Sequence, residues 1–150
     1  MAYSLEALIG PALGPVAGVP PLTVVTLPQS LGLLPLVPDL VKQLRPLAEQ
    51  DGIERLEELS YVKPAVLWLA QRLSAVGRVA YVEAEFFGGV GEQVSAGWDA
   101  GALVFGPLNA DDAINQALRW LGVVSEPPDD EFDTLALGRY RHTEQWVRAE

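Results

Sequence analysis

Apolar positions recur every second residue at the start of the chain: in AYSLEALIG, residues 2–10, Tyr3, Leu5, Ala7 and Ile9 fall on one side. A period of two is that of a strand, so this segment predicts a first strand. The pattern then breaks. Residues 10–21, GPALGPVAGVPP, hold three glycines and four prolines. No regular element survives that density, so a loop is expected, long enough to be mobile or to cover something. LTVVTL, Leu22 to Leu27, is a β-branched apolar run bounded by prolines and predicts a buried strand. SLGLLPLV reads as another, moved towards a sheet edge by Pro35.

From Pro38 the period lengthens. In PDLVKQLRP, Leu40, Val41 and Leu44 share one helical face, Asp39 is placed to cap, and Pro46 is expected to stop or kink the helix. The polar EQDGIERLEELS suits one or two further helical turns. KPAVLWLAQRLSAVG is the clearest helix, with Pro64 in the first turn, Gly77 at the stop, and Val66, Leu69, Ala70 and Leu73 as its apolar stripe; Trp68 lies near the edge of that stripe. Period two returns in RVAYVEAEFF. Ala80, Val82, Ala84 and Phe86 point one way; Tyr81, Glu83 and Glu85 point the other. EQVSAGW and ALVFG follow after the short links GGVG and DAG, which favours antiparallel hairpins. PLNADDAINQALRWLG predicts a helix capped by Asn109, with Asp111 and Asp112 at its positive end and Ile114, Ala117, Leu118 and Leu121 facing the core. SEPPDDEFD reads as an acidic loop, TLALGRYRH as a short final strand, and TEQWVRAE as a terminal helical turn capped by Thr143. The expected fold is α+β: a single domain over residues 1–150, in two layers, with a mainly antiparallel sheet and about three helices.

Composition narrows the chemistry. The chain of 150 residues is 49% hydrophobic and 20% charged, and it has no cysteine. Disulfides, thiolate nucleophiles and thiolate metal sites are therefore excluded. The N-terminal segment lacks a basic start, carries Glu6 and is broken by glycine and proline, unlike a signal peptide. No apolar run reaches the roughly 18 residues of a spanning helix. A cytoplasmic protein is expected. The net charge of −10 is concentrated: residues 79–133 hold eleven acidic side chains and one base, Arg119. Such a field disfavours nucleic acid and anionic membranes as partners and favours a basic protein or a cation; the plainer reading is solubility.

Candidate chemistry centres on EAEFFGGVGEQ, Glu83 to Gln93. Glu83 and Glu85 share a strand face and could serve a cation or an acid–base pair, or simply meet solvent or arginines. Gly88, Gly89 and Gly91 do not form a dinucleotide fingerprint, because Val94 stands where a third glycine is required and no phosphate-loop lysine follows. They read first as a hairpin turn and second as bare backbone for a ligand. Arg139 and Arg141 alternate in GRYRH, so a cross-strand ladder from them to Glu83, Glu85 or the turn residue Glu92 is predicted. His142 is the single histidine, which leaves no zinc set and no supported triad. Phe87, Trp98, Trp120 and Trp146 complete a core or, exposed together, an interface. No cofactor and no metal is expected.

AYVEAEFFGGVGEQ, INQALRWLGV and DEFDTLALGRYRHTEQW together resemble a group of small uncharacterised bacterial proteins. In these an aromatic–acidic strand leads into a GGxGxQ turn, and a GRxRxTEDW-like ending closes the chain. The resemblance covers roughly residues 79–146, and Gln145 stands where that ending carries an acidic residue. It implies a bacterial protein, and by analogy of class an immunity-like one. Three functional readings follow. The first is an acidic protein-binding module that neutralises a basic partner, with Glu83, Glu85, Phe87, Gly89, Gly91, Gln93, Trp98, Arg139, Arg141 and His142 as candidate contacts. The second is a small-ligand protein or enzyme using Glu83, Glu85, Gln93 and His142, which requires those groups to converge in one pocket. The third is a self-associating homo-oligomer.

Overall fold

The computed structural model describes residues 2–52 and 62–148. Its frame is a six-stranded antiparallel sheet: β1 (Ala2–Gly10), β2 (Val25–Leu27), β3 (Leu31–Pro35), β4 (Val79–Phe87), β5 (Val90–Asp99) and β6 (Ala102–Asn109), in the order β2-β3-β1-β4-β5-β6. Five helices accompany it among the described residues: α1 (Pro38–Gln50), α2 (Pro64–Leu73), α3 (Ala113–Trp120), the four-residue α4 (Glu131–Thr134) and α5 (Thr143–Arg148). The α+β class, the single domain and the antiparallel sheet are as expected.

The layering is richer than the expected two. Leu8, Tyr81, Val94, Ala96 and Trp98 pack one sheet face against α1 and α2. Leu5, Ile9, Ala80, Val82 and Ala84 pack the other against α3, Leu135, Leu137 and Trp146. The central strands are apolar on both sides where they run ALIG and VAYV, and such strands need cover on both sides. The glycine- and proline-rich loop contributes to the first layer, since Leu13, Val16 and Val19 lie against that core.

Several local expectations are corrected. LTVVTL is a strand only from Val25 to Leu27. In the β2–β3 register the next inward-facing rung would set Thr23 against Pro35, and proline has no N–H to continue the ladder. β3 is an inner strand, yet Pro35 is tolerated. Leu36 donates its N–H to the Glu6 carbonyl at 2.9 Å, so Pro35, one residue earlier, turns its missing donor to the side where β2 has already ended. Helix α1 does not stop at Pro46; it runs through that residue to Gln50. Pro46 is exposed, so the carbonyl it leaves unbonded faces water. Asp39 makes no capping bond, and Pro38 occupies the first turn instead. The segment EQDGIERLEELS lies largely outside the described residues.

Asn109 is the last residue of β6 and not a cap; α3 starts four residues later. Gln93 does part of the capping work, accepting the Ile114 N–H on Oε1 at 3.1 Å. TLALGRYRH is no strand: it holds a 3-10 turn at Leu137–Arg139, with Ala136 in the left-handed region. Beyond it, His142 makes a single parallel bridge to Ser4, and Ser4 donates its N–H to the Arg141 carbonyl at 2.7 Å. The C-terminal segment thus lies beside the first half of β1, where β3 no longer reaches. Thr143 is buried and accepts the Glu6 N–H on its hydroxyl at 3.0 Å, so it ties β1 rather than capping α5. Gln145 Oε1 takes the N–H groups of Arg141 and His142 at 2.9 and 3.0 Å. That is the returning half of a capping box, for which a glutamine serves as well as an acid.

Candidate functional site

The segment Glu83–Gln93 is a hairpin. Gly88 and Gly89 form a two-residue turn with φ of 61° and 84°, both in the left-handed region that a type I′ turn requires. Phe87 pairs with Val90, Glu85 with Glu92 and Glu83 with Val94. Gly91 is already in the strand, where a Cβ would come within 2.7 Å of the Phe86 Cα and meet the Glu85 carbonyl oxygen. The strands here must pass closer than a side chain allows. The turn itself is open, with nothing near Gly88 or Gly89.

Period two sets the chemistry of the two faces. Tyr81, Glu83, Glu85 and Phe87 share one face of β4. Directly opposite, β1 supplies Glu6 against Glu83, and β5 supplies Glu92 against Glu85. Two like-charge pairs therefore sit on adjacent rungs, an arrangement that disfavours folding. Tyr81 offsets part of this. Its buried ring lies in the core under α2, and its hydroxyl lies 2.5 Å from Glu83 Oε1 and 3.1 Å from Glu6 Oε2. A phenol has one hydrogen to give. It satisfies one carboxylate; the second contact becomes attractive when either carboxyl holds a proton and donates it back to the phenol oxygen. Burial pushes the Glu83 carboxyl above its ordinary range; the Tyr81 hydrogen bond opposes that shift, and Glu6 and Glu85 add to it. Burial, then the negative charges of Glu6 and Glu83, raise Tyr81 far above the usual phenol value, so it stays a donor.

Glu6, Glu83 and Glu85 line a cleft of about 370 Å³ with Ser4, Pro38, Lys63 and Glu144. Lys63 approaches Glu6 at 3.6 Å. It is the one base among the lining residues. Phe87 and Val90 cap the hairpin beyond the cleft, each 79% exposed. Glu6, Tyr81 and Lys63 are the members that sequence reasoning missed. Glu6 does interrupt an apolar strand, but only the β1–β4 register, between residues distant in sequence, sets it against Glu83.

The remaining candidates scatter. Gln93 points to the opposite sheet face, as its rung partner Ala84 does. Trp98 is fully buried in the first core, with its indole N–H unpartnered among the described residues. His142 is exposed and meets Ser4 Oγ through Nδ1 at 3.0 Å. Glu83, Glu85, Gln93 and His142 therefore do not line one pocket. The predicted arginine ladder is absent: no ion pair among the described residues joins Arg139 or Arg141 to Glu83, Glu85 or Glu92. The reason is the missing final strand. Arg139 instead lies over the Trp146 ring, 5.1 Å from its centroid. Among the described residues no group of three or more His, Asp or Glu could hold a metal ion, and no helix is long and apolar enough to cross a membrane.

No family model matches the chain, and neither the curated proteins nor the solved structures give a match.

Proposed function

We propose that the chain is a binding module whose acidic sheet face, tipped by Phe87 and Val90, docks a basic protein. One observation carries this reading: the like-charge pairs Glu6–Glu83 and Glu85–Glu92 stand on adjacent rungs of one face with a single lysine beside them. Such pairs cost folding stability, and a partner's lysines and arginines would relieve that cost on binding. The exposed ring of Phe87 beside the charges supplies the apolar anchor that charge alone lacks. Association would be fast and salt-sensitive. An immunity-like role, masking a basic partner, is the form of this reading that the sequence resemblance implies.

The test is retention of protein partners from the native cell at low and high salt, by the wild type and by a Glu85→Lys/Glu92→Lys double variant. Both positions are exposed, so the variant should fold. The expected result is a basic partner held by the wild type at low salt, released at high salt, and not held by the variant. Equal capture by both proteins, or none by either, would count against the reading.

A further inference from the structure

The sheet face opposite the glutamates carries a second cleft of about 370 Å³, between the β4–β5 hairpin, the start of α3 and α4. Its floor is apolar, formed by the buried Ala84 and Ile114. Its walls are three rings, Tyr3, Phe86 and Phe132, with Tyr3 and Phe132 packed edge to face at a centroid distance of 5.9 Å. Four polar side chains edge it: Gln93, Asp111, Asn115 and Asp130.

Most of that polarity is already engaged. Asn115 accepts the Phe132 N–H at 2.9 Å and donates to Asp130 Oδ2 at 3.0 Å. Asp130 Oδ1 caps α4 through the Asp133 N–H at 2.9 Å. Gln93 Oε1 holds the start of α3, and the Tyr3 hydroxyl donates to the Leu137 carbonyl at 2.9 Å. Two groups are left over. The Asp111 carboxylate has no hydrogen bond or ion pair among the described residues, because Arg119 turns to Asp112 and Glu131. The Gln93 amide nitrogen likewise has no partner there. No base lines the cleft. Arg139, next to the lining residue Gly138, is held over Trp146.

We infer that this cleft binds a small flat organic cation, an aromatic amine whose ring lies among Tyr3, Phe86 and Phe132 and whose ammonium group meets Asp111. Ring edges and faces take a flat apolar body; ring faces and an uncompensated carboxylate both favour positive charge. The volume lies in the lower part of the roughly 300–1,000 Å³ range of ligand pockets, enough for one or two fused rings. The inference stands apart from the docking reading, because the two clefts lie on opposite faces of the sheet.

Three probes that share an indole ring test it: tryptamine, the neutral tryptophol and the anionic indole-3-acetate. Binding is read from the side-chain amide resonances of Gln93 and the backbone amide of Ile114. Tryptamine should shift both and bind roughly tenfold more tightly than indole-3-acetate, with tryptophol between them. Asp111→Asn, at an exposed position, should abolish the preference for tryptamine over tryptophol while leaving tryptophol affinity unchanged. Glu85→Gln, on the far face, should leave all three unchanged. Absence of tryptamine shifts at these residues would overturn the inference. So would equal affinity for all three probes, or an equal loss in the Asp111 and Glu85 variants, which would mark a general field rather than a site.

Discussion

Glu83 shows how one residue's position can tie stability to pH. Its carboxyl sits half-buried opposite Glu6 and within reach of a single hydroxyl hydrogen from Tyr81. Burial raises its folded-state value above the ordinary 4.5. The folded protein therefore holds this proton more tightly than the unfolded chain does. The site's contribution to stability is complete below 4.5 and is lost as pH rises through the raised folded value. A glutamine in its place keeps an acceptor for Tyr81 and carries no charge to desolvate. The melting temperature of Glu83→Gln minus that of the wild type should grow more positive as pH rises from the carboxyl range to neutrality. A thermal series across that range checks it; a constant difference would show that Glu83 does not titrate differently on folding. Arg141 illustrates the converse. Alternation in GRYRH predicts a ladder, but the arginine is exposed and only its backbone is engaged, the N–H by Gln145 and the carbonyl by Ser4.

Elements are held here by contacts between distant segments as much as by their own sequences. Helix α3 has no side-chain cap of its own at Asp112. Its start is pinned from β5, by Gln93 Oε1 on the Ile114 N–H and by Ser95 Oγ, which donates to the Ala113 carbonyl at 2.7 Å. Gln93→Ala should therefore behave like loss of an N-cap and destabilise the protein by about 0.5–2 kcal/mol. Chemical denaturation measures this, and Gln93→Glu, which keeps an acceptor, should recover much of the loss. Helix α1 presents the opposite case, a local defect carried by tertiary packing. Pro46 interrupts its hydrogen bonding on the exposed side, while Val41, Leu44 and Ala48 anchor the buried side. An interior proline disfavours a helix by about 3 kcal/mol relative to alanine. Part of that is offset by proline's restriction of the unfolded chain, so Pro46→Ala should stabilise the protein by about 1–2 kcal/mol, read as a rise in the denaturant midpoint. A fall would mean that the proline fixes a bend on which α1 packing depends.

At the scale of the whole molecule, charge is segregated rather than balanced. The net −10 resides in residues 79–133, and the fold spreads that segment over β4, β5, β6, α3 and α4, on both sides of the sheet. Among the described residues Arg119 meets two of the acids, Asp112 and Glu131, and Arg78 meets Asp99. The rest repel one another across solvent. Raising the salt from about 0.01 M to about 0.1 M shortens the screening length from about 30 Å to about 10 Å, which should relieve that repulsion. The melting temperature should rise over this interval and then level off. A fall would show that the attractive pairs, Lys63–Glu6 among them, outweigh the self-repulsion.

What the sequence determined by itself is whatever depends on neighbours a few residues apart. The strand at Ala2–Gly10, the glycine hairpin after Phe87, the helix begun by Pro64 and the alternation that puts Glu83 and Glu85 on one face of β4 all follow from local periodicity and turn chemistry. Their physical cause is the fixed side-chain period of a strand or helix and the positive φ that only glycine adopts freely. Partnership across the chain was beyond that reading. The second helical layer depends on both faces of β1 and β4 being apolar and finding cover. That GRYRH forms no strand shows only in the tertiary structure, where Leu137–Arg139 makes a 3-10 turn and a single bridge joins His142 to β1 at Ser4. The meeting of Glu6, Tyr81 and Glu83 depends on a register between residues more than seventy apart. Asp111 was legible only as a charge at a helix start; that it is left uncompensated beside three rings was decided when Arg119, in the last turn of α3, took Asp112 and Glu131 instead. Such choices are made by packing and by competition for a few counter-charges, and neither is written in the spacing of residues along the chain.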